Sequence, residues 1–552
     1  MGGVAGPDPL PSGQGISSTS NNPLSFRYPA GGMAMRTSWG RAMWAVAGLL
    51  LCTGVILPAS ADTQLSESWE WTYGGAMSDL GASVRVTGDG GFVVAGSTNS
   101  FGRGDFDVYL LRIGPTGMLL WEQNLGTPAD EFGTDVQETG DGGFIVTGWC
   151  WSPVNSTDVY LVRTDGAGQK LWERRYGGSG SDYGHAVLPL QDGGFAIAGS
   201  TTSSGPSEDV YLIRVGEDGV RLWEKTIGGA GDDAGFGLLA VDDGNFVIAG
   251  STGSFGSSRD IFLVSTGSDG TPLWQQHYGG PGMQEGRAVA RTGDGGFLIA
   301  GGTDPASSGE WDTYVVRTDS LGRLRWEQRM GRGGSEYGSA VAVTDDNGFS
   351  VAGRTGSSGL STDISLIRAG SLGTPLWEQT FGGARYDTAS AIQVTEDGGV
   401  VIAGTTDSFG RGDDVYLIRL APPSGRLVVT STPPGASLVI DGVPRGVTPA
   451  SLEDIPAGRH TVLLLLEGFE ESRAETVVES GPVPAMVDAM LVAIPGIPPE
   501  TVTPTPTPSS LIGRLFPVFW REESMQGGTG PLFPFRLPDP AHLFSFSLRG
   551  NR

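Results

Sequence analysis

Apolar and polar residues recur along this chain with a period close to 51 residues. Tryptophan followed by Glu or Gln stands at Trp69, Trp121, Trp172, Trp223, Trp274, Trp326 and Trp377. An Asp-Gly-Gly-Phe turn or a close variant begins at Asp89, Asp141, Asp192, Asp243, Asp294, Asp346 and Asp397. A segment similar to Asp-Val-Tyr-Leu-Ile-Arg begins at Asp107, Asp158, Asp209, Asp260, Asp312, Asp363 and Asp414. Self-similarity at a fixed spacing of this length indicates a repeat architecture, here with seven units.

Each unit is predicted to hold four β-strands. In the first unit, residues 84–87 and 92–97 flank Asp89-Gly90-Gly91, which suits the positive φ of a tight hairpin turn. Residues 107–113 and 118–125 are the third and fourth strands, and the fourth carries the Trp-Glu pair. The middle strands are apolar at consecutive positions, so both faces of the sheet must be covered. Radially packed sheets meet this requirement because each lies between two neighbours.

The two ends of the repeat region complement each other. The seventh unit ends at Leu420 without a Trp-Glu strand, whereas residues 68–73 form such a strand ahead of the first hairpin. A ring closed by this early strand has no exposed sheet edge to protect. The alternative is an open β-solenoid, which needs no matching half-unit at its ends. The pattern therefore favours a closed ring of seven sheets.

The repeat motifs resemble those of a known class of proteins. Gly-Gly-x-x-x-Asp, Asp-Gly-Gly-Phe-x-x-Ala-Gly-Ser-Thr and Leu-Trp-Glu, over residues 66–421, are similar to the secreted seven-bladed β-propeller repeats of bacteria and archaea. The resemblance implies the architecture. It says little about the ligand, because propellers of one fold serve many functions.

A second module is predicted over residues 425–493. Strands at 426–430, 437–440 and 461–466, with the turn Pro433-Pro434-Gly435-Ala436, resemble the PEGA domain, whose name comes from Pro-Glu-Gly-Ala. The resemblance implies a small β-sandwich. The predicted fold class is thus all-β, a seven-bladed propeller followed by a small sandwich. Residues 494–510 form a Thr/Pro linker, and residues 511–552 are either a disordered tail or the product of a shifted reading frame.

The N-terminal residues 1–61 indicate export. Arg36 and Arg41 precede an apolar run over 42–57, and the small residues Ala59-Ser60-Ala61 follow. This order predicts a secretory signal peptide with a cleavage site. The alternative, a membrane anchor, has fewer than the ~20 apolar residues that a bilayer requires. We expect a secreted, cell-surface protein whose mature chain has no transmembrane anchor.

Composition narrows the function classes. Glycine accounts for 91 of 552 residues, more than twice its usual share of roughly 7%. The net charge of −26 disfavours binding to nucleic acid or to anionic lipid. Only Cys52 and Cys150 are present, and Cys52 lies in the predicted signal segment, so the mature chain cannot close an internal disulfide. With four histidines as well, there is little material for a zinc site.

Residues that repeat in every unit are expected to hold the units together. The Trp-Glu tryptophans are predicted to pack between blades, and the aspartates that open the third strands to accept hydrogen bonds from loops. A third set lies between consecutive units: Asp79, Glu131, Asp182, Asp233, Gln284, Glu336 and Asp387. Six of the seven are carboxylates, which either cap turns or form a ring near one mouth of the channel that binds a divalent cation. No other cofactor is predicted.

Departures from the repeat are the better candidates for a ligand site. Where other units read Gly-Ser-Thr, the second has Trp149 and Trp151, and the fifth inserts Trp311 in a loop. Phe101, Phe255 and Phe409 occupy the loops between the second and third strands. Aromatic side chains there would stack on sugars or clasp a peptide.

Three functions are compatible with this sequence. The first is a non-catalytic surface module that binds a protein or a polysaccharide, which is the one we predict. The second is a propeller enzyme, in particular a quinone-dependent one, because residues 165–172 look like tryptophan-docking repeats. Such enzymes commonly have eight blades and adjacent cysteines, and this sequence has neither feature. In addition, none of its histidines fits the motif of a nucleophilic enzyme. The third is a purely structural component of the envelope.

Overall fold

The computed structural model describes residues 64–102, 105–151, 156–256, 258–331, 333–356, 361–479 and 481–494. The predicted signal segment, nearly all of the Thr/Pro linker and the tail lie outside these residues. Within them, every element is a β-strand except one short 3-10 turn, Asp242–Gly244. The prediction of an all-β propeller followed by a small sandwich is confirmed.

Residues 66–421 form seven four-stranded antiparallel sheets among the described residues. The first strand is β1 (Ser66–Tyr73). Blade 1 contains β2 (Asp79–Val86), β3 (Phe92–Thr98), β4 (Asp107–Ile113) and β5 (Leu119–Leu125). Blade 2 contains β6 (Glu131–Glu138), β7 (Phe144–Trp151), β8 (Thr157–Thr164) and β9 (Lys170–Tyr176). Blade 3 contains β10 (Asp182–Pro189), β11 (Phe195–Thr201), β12 (Asp209–Val215) and β13 (Arg221–Ile227).

The next three sheets repeat this order. Blade 4 contains β14 (Asp233–Ala240), β15 (Phe246–Thr252), β16 (Asp260–Thr266) and β17 (Pro272–Tyr278). Blade 5 contains β18 (Met283–Arg291), β19 (Phe297–Asp304), β20 (Asp312–Thr318) and β21 (Leu324–Met330). Blade 6 contains β22 (Ser335–Val343), β23 (Phe349–Gly356), β24 (Asp363–Ala369) and β25 (Pro375–Phe381).

Blade 7 closes the ring as the sequence predicts. It contains β26 (Asp387–Val394), β27 (Val400–Thr406), β28 (Asp414–Ala421) and, as its fourth strand, β1. Tyr73 lies opposite Val415 in the antiparallel register of β1 and β28. Each sheet packs against the next, and β2 of blade 1 packs against β27 of blade 7. The early strand therefore links the two ends of the repeat region.

Tryptophan packing joins successive blades. In six cases the Trp of the fourth strand lies 5.8–6.5 Å, centroid to centroid, from the Phe that opens the second strand of the following blade. Trp377 packs instead in the core cluster that contains Val400. Gly117 and Gly168 have positive φ in the turns before the fourth strands. A Cβ on Gly168 would collide with the ring of Trp121 in the preceding blade, and a Cβ on Gly117 would collide with Trp71 of β1 and lie 3.1 Å from Trp69. The predicted inter-blade role of the tryptophans is confirmed.

A second repeated contact fixes the hairpin between the first two strands. In blade 1, the buried Arg112 pairs with Asp89 and donates to the carbonyl of Phe92. Hydrogen bonds from the Thr87 hydroxyl and the Gly91 amide, together with Arg112, lower the pKa of Asp89 to about 2. Equivalent pairs are Arg163–Asp141, Arg214–Asp192, Arg317–Asp294, Arg368–Asp346 and Arg419–Asp397.

One boundary differs from the sequence prediction. The first strand of blade 1 was expected to begin at residue 84 but begins at Asp79, so the repeated acidic residues open this strand and do not precede it. Gly81 and a β-bulge between Gly81 and Ser83 interrupt the alternation of apolar and polar residues there. The pattern that indicates a strand is therefore lost over its first half.

The second module is a two-layered sandwich. One sheet has the order β32 (Ala450–Pro456), β29 (Ser424–Thr432) and β35 (Gly481–Met490). The other has the order β31 (Val443–Val447), β30 (Ser437–Ile440), β33 (Gly458–Leu465) and β34 (Ser472–Val478). Leu427 and Val429 pack against Leu438, Val462 and Leu464 in its core. Within the described part of the chain, no helix has the length and apolar character needed to cross a membrane.

Closure by β1 generates a stability prediction. Trp69 on β1 packs on Phe92 of blade 1 and donates from its indole nitrogen to the Pro115 carbonyl at 3.3 Å. We expect Trp69→Ala to lower the free energy of unfolding by on the order of 2–3 kcal/mol, measured by denaturant titration. Trp151→Ala is the control, because its side chain is half exposed. Equal stability of the two variants would show that the Trp69 contact does not stabilise the closed ring.

Candidate functional site

The first strand of every blade faces a central channel. Each of these strands contains a β-bulge at the same point, and the bulged residues are Ala82, Thr134, His185, Phe236, Arg287, Ser339 and Ser390. All seven line the channel. A bulge bends its strand and re-aims a side chain, which explains how one position in each repeat comes to face the channel.

These seven positions differ in size around the ring. Blades 3, 4 and 5 contribute large side chains, His185, Phe236 and Arg287, whereas the other four blades contribute alanine, serine or threonine. Large residues therefore fill one side of the channel. Beside them opens a cavity of about 560 Å³ at one mouth, which is also lined by Trp311, Tyr337, Arg354 and Tyr386.

Arg287 is the centre of this mouth. Its guanidinium lies over the ring of Phe236, with the carbon 4.3 Å from the ring centroid. Its Nε donates to the Tyr337 hydroxyl at 2.8 Å, and its Nη2 lies 3.1 Å from Glu285 Oε2. A cation placed on an aromatic face and paired with a carboxylate is held in one orientation.

Glu285 is the carboxylate of this group. It accepts from the Tyr337 hydroxyl at 2.8 Å and forms a second ion pair with Arg259, also at 2.8 Å. Burial raises the pKa of Glu285, but Arg287, the Tyr337 hydroxyl and Arg259 outweigh burial and hold the pKa below its usual value. The carboxylate is thus ionised and fully engaged near neutral pH.

Arg354 is the second cation at the mouth. It donates to the Tyr386 hydroxyl at 3.0 Å, and its guanidinium carbon lies 5.6 Å from the centroid of the Tyr337 ring. Tyr337 is directly opposite Arg354 in the pairing of β22 with β23. Tyr337 therefore lies between the two arginines and contacts both.

A missing side chain in blade 5 makes room for the rings. Gly302 occupies the strand position that holds Arg354 in blade 6 and Trp149 in blade 2. A Cβ at Gly302 would lie 2.5 Å from ring atoms of Tyr337 and 2.8 Å from Trp311. The two rings meet edge to face with centroids 5.5 Å apart. Glycine at this position is therefore what allows Trp311 to reach the mouth.

His185 lies beside this group in an uncharged form. Its ring centroid is 4.9 Å from that of Phe236 and 6.3 Å from that of Tyr183. Burial, and to a smaller extent the positive charge of Arg287, lower the pKa of His185 to about 4. A neutral imidazole both donates and accepts a hydrogen bond, so His185 adds a polar group to the channel wall without adding charge.

A track of rings continues from the mouth toward blade 1. Trp149 meets Tyr183 edge to face at 5.7 Å and stacks on Phe132 at 4.1 Å. Phe132 in turn lies 4.9 Å from Phe106. Together with Tyr183 and His185, these side chains extend the aromatic surface across several blades on one side of the propeller.

The predicted site residues divide into two groups. Trp311 lines the mouth cavity and Trp149 belongs to the track, while Trp151, at the end of β7, is exposed. Phe101, Phe255 and Phe409 pack separately, each on the aromatic residue of the third strand in its own blade, at 5.4–5.9 Å. The structure does not bring these three phenylalanines to the mouth.

Sequence reasoning missed most of the mouth. His185, Phe236, Arg287, Tyr337, Arg354 and Tyr386 were not among the candidates, although four of them are departures from the repeat at bulge or facing positions. A comparison of the seven sequence repeats shows these departures. It could be used only once the bulge showed which position of each repeat faces the channel.

The repeated acidic residues are engaged within their own blades. Asp79 is buried and accepts from the hydroxyls of Thr98 and Ser100 and from the Gly75 amide. Asp182 and Asp387 each accept from the equivalent Thr hydroxyl, Ser hydroxyl and Gly amide in blades 3 and 7. Glu131 accepts from the backbone amide and the hydroxyl of Thr127. Asp233 and Glu336 occupy the equivalent buried positions. None of these six lines the channel cavities, so the geometry is that of turn-capping carboxylates.

A divalent cation stays a prediction without a visible set of ligands. Among the described residues, no group of three or more His, Cys, Asp or Glu side chains is arranged to hold a metal ion.

Cys150 is a buried free thiol, and burial raises its pKa to about 12.

Comparison with known proteins identifies the second module. Residues 424–485 match the PEGA domain. The PEGA match begins at residue 424 and ends at residue 485, whereas the module predicted from the sequence begins at residue 425 and ends at residue 493. The chain is also similar, at 26% identity over 190 residues, to the regulatory protein FlaEY of Caulobacter vibrioides. The matched segment covers 29% of this chain and 20% of FlaEY.

Solved structures give only distant likenesses. The chain is similar to the extracellular domain of a hybrid two component system from B. thetaiotaomicron, with 10% identity over 75% of this chain and 56% of that chain and a TM-score of 0.35. Puromycin hydrolase is 15% identical over 74% of this chain and 60% of that chain, with a TM-score of 0.40. YCF48 bound to D1 peptide is 12% identical over 64% of this chain and 94% of that chain, with a TM-score of 0.39. TM-scores this low support no inference about function.

The close approach at Gly302 can be tested by adding a side chain. We expect Gly302→Ser to destabilise the protein by about 1–3 kcal/mol, because the Tyr337 and Trp311 rings must move. Adding Trp311→Ala should recover part of the loss. Gly140→Ser is the control, since a Cβ there meets nothing within 4 Å. Equal effects of the two serine substitutions, measured by denaturant titration, would contradict the packing described here.

The neutral state of His185 predicts a pH dependence. Because the pKa falls from an ordinary value near 6.5 to about 4 on folding, the unfolded chain binds a proton that the folded chain does not. Stability should therefore fall between pH 6.5 and 4, by on the order of 2–3 kcal/mol from this residue. His185→Gln should flatten the profile in that window. An imidazole titration midpoint near 6.5 by NMR would refute the prediction.

Proposed function

We propose that this protein is a non-catalytic, extracytoplasmic binding module whose propeller takes up its ligand at the channel mouth around Arg287. The observation that carries the proposal is the gathering of departures from the repeat at this mouth. Residues that repeat are used for packing between and within blades, whereas Arg287 and Arg354 stand at strand positions where no other blade has an arginine or a lysine. A propeller needs neither of them for closure.

The chemistry of the mouth supports binding. A cavity of about 560 Å³ lies in the size range of ligand sites, and its wall combines aromatic faces with a few oriented polar groups. Arg287 and Tyr337 are each fixed by two or more neighbours, so the wall is preorganised. A fixed wall loses less conformational entropy when a ligand binds.

The PEGA domain and the predicted signal peptide support a location outside the cytoplasm. A surface protein or a polysaccharide is the partner class that fits such a location, as the sequence predicts. The −26 net charge argues against nucleic acid.

Binding can be located by comparing two aromatic sets. In a glycan and peptide array with the purified protein, we expect Trp311→Ala at the mouth and Trp149→Ala on the track to weaken binding at least tenfold. Phe409→Ala is the matched control, because its half-exposed ring packs on Tyr416 of its own blade and does not line the mouth cavity, and should change binding less than twofold.

Three outcomes would contradict the proposal. If Phe409→Ala abolishes binding and Trp311→Ala does not, the site lies on the outer loops. If no surface polymer or peptide binds, a purely structural role in the envelope takes its place. An absorption band of a bound quinone in protein purified from its native source would revive the enzymatic alternative.

A further inference from the structure

Arg354 is the feature of the mouth that the binding site itself leaves unexplained. The corresponding strand positions in the other blades hold Ser97, Trp149, Ser200, Ser251, Gly302 and Thr405. Blade 6 alone places a cation there among the described residues. Neither the hairpin nor the contact between blades requires it.

Arg354 also lacks the partner that other arginines have. Each third-strand arginine, such as Arg112 or Arg368, pairs with an aspartate of its own hairpin. Arg354 donates to the Tyr386 hydroxyl, and no carboxylate of the described residues lies within ion-pair distance of it. A guanidinium carries five donors in a planar fork that matches a carboxylate. Among the described residues, the Tyr386 hydroxyl is the acceptor that this guanidinium reaches.

The charge balance of the mouth is positive. Two arginines, Arg287 and Arg354, line the cavity with one carboxylate, Glu285, and Arg259 also binds that carboxylate. Three arginines thus share a single negative charge, in a protein whose net charge is −26. A concave site of this kind attracts an anion even though the whole molecule is acidic.

The rest of the wall carries hydroxyl groups between rings. Thr134, Ser339, Thr388 and Ser390 line the cavity together with the rings of Trp311, Tyr337 and Tyr386. Hydroxyls both donate and accept, as sugar hydroxyls do, and aromatic faces cover the apolar faces of a sugar ring. These observations favour a saccharide over an acidic peptide.

We propose that the ligand is an acidic polysaccharide, and that Arg354 binds a sugar carboxylate while Trp311 and Tyr337 pack against the ring that bears it. This inference rests on the proposed function and adds the chemical class of the ligand. The aromatic track through Tyr183 and Trp149 would then accept neighbouring sugars of the same polymer.

The test measures affinity for defined oligosaccharides by calorimetry with the full chain. The probes are trigalacturonate, trimannuronate and a hyaluronan tetrasaccharide, each paired with its uncharged methyl ester, and penta-glutamate as an acidic peptide. We expect at least one acidic oligosaccharide to bind, and its methyl ester to bind at least tenfold more weakly.

Variants of Arg354 assign the effect to one side chain. Arg354→Gln should weaken binding of the acidic probe at least tenfold and leave the methyl ester nearly unchanged, whereas Arg354→Lys should lie between. Arg325→Gln, which removes an exposed arginine of blade 5, is the control and should stay within twofold. If Arg354→Gln does not fold, Tyr386→Phe removes only the hydroxyl that positions the guanidinium and should give a smaller loss.

The outcomes separate this inference from the proposed function. Equal binding of acid and ester, still lost in Trp311→Ala, would overturn the role of the carboxylate and leave the mouth as the site. Tighter binding of penta-glutamate than of every saccharide would overturn the ligand class. Failure of all the acidic saccharides to bind overturns the inference, and the array with Trp311→Ala then decides the proposed function on its own.

Discussion

Contact between successive blades is the constraint on which this fold depends. A sheet that is apolar on both faces is stable in water only when both faces are covered, and here each blade covers its neighbour. Trp121 of blade 1 lies on Phe144 of blade 2, and the same pair recurs around the ring. At the last interface β27 packs on β2, and β1 completes blade 7 and places Trp69 on Phe92. The ends of the repeat region are therefore as strongly coupled as any two neighbouring blades.

That constraint explains where the chain is free to vary. Residues on the middle strands meet the same neighbours in every blade, so the same residue types recur there. The bulged positions on the inner strands face the channel and lie outside the apolar core clusters between the sheets. Alanine at position 82 and arginine at position 287 are equally compatible with closure, and function can select between them. The unequal side chains of blades 3 to 6 are thus not required by the fold.

Repetition made most of the fold predictable, and irregularity hid most of the site. The four strands, the tight hairpin, the closing strand and the tryptophan contacts were predicted because each signal occurs up to seven times. The start of the inner strand was missed because Gly81 and the bulge break the alternation. Trp149 and Trp311 were found as large aromatic departures in aligned motifs. Arg287 and Arg354 were missed because the bulge and the cross-strand pairing decide which residues face the mouth, and neither can be read from one strand alone.

The net negative charge of the protein affects which anionic ligands would bind at the mouth. An acidic exterior repels anions at long range, but at physiological salt this repulsion is screened beyond about 8 Å. Recognition then depends on short-range bonds within the mouth, where Glu285 is already neutralised by Arg259 and Arg287. A protein with a net charge of −26 repels densely charged anionic polymers most strongly, whereas it repels a chain with one carboxylate per sugar less. A single available guanidinium, Arg354, beside aromatic faces is matched to such sparse charge, because most of the contact with each sugar would be uncharged.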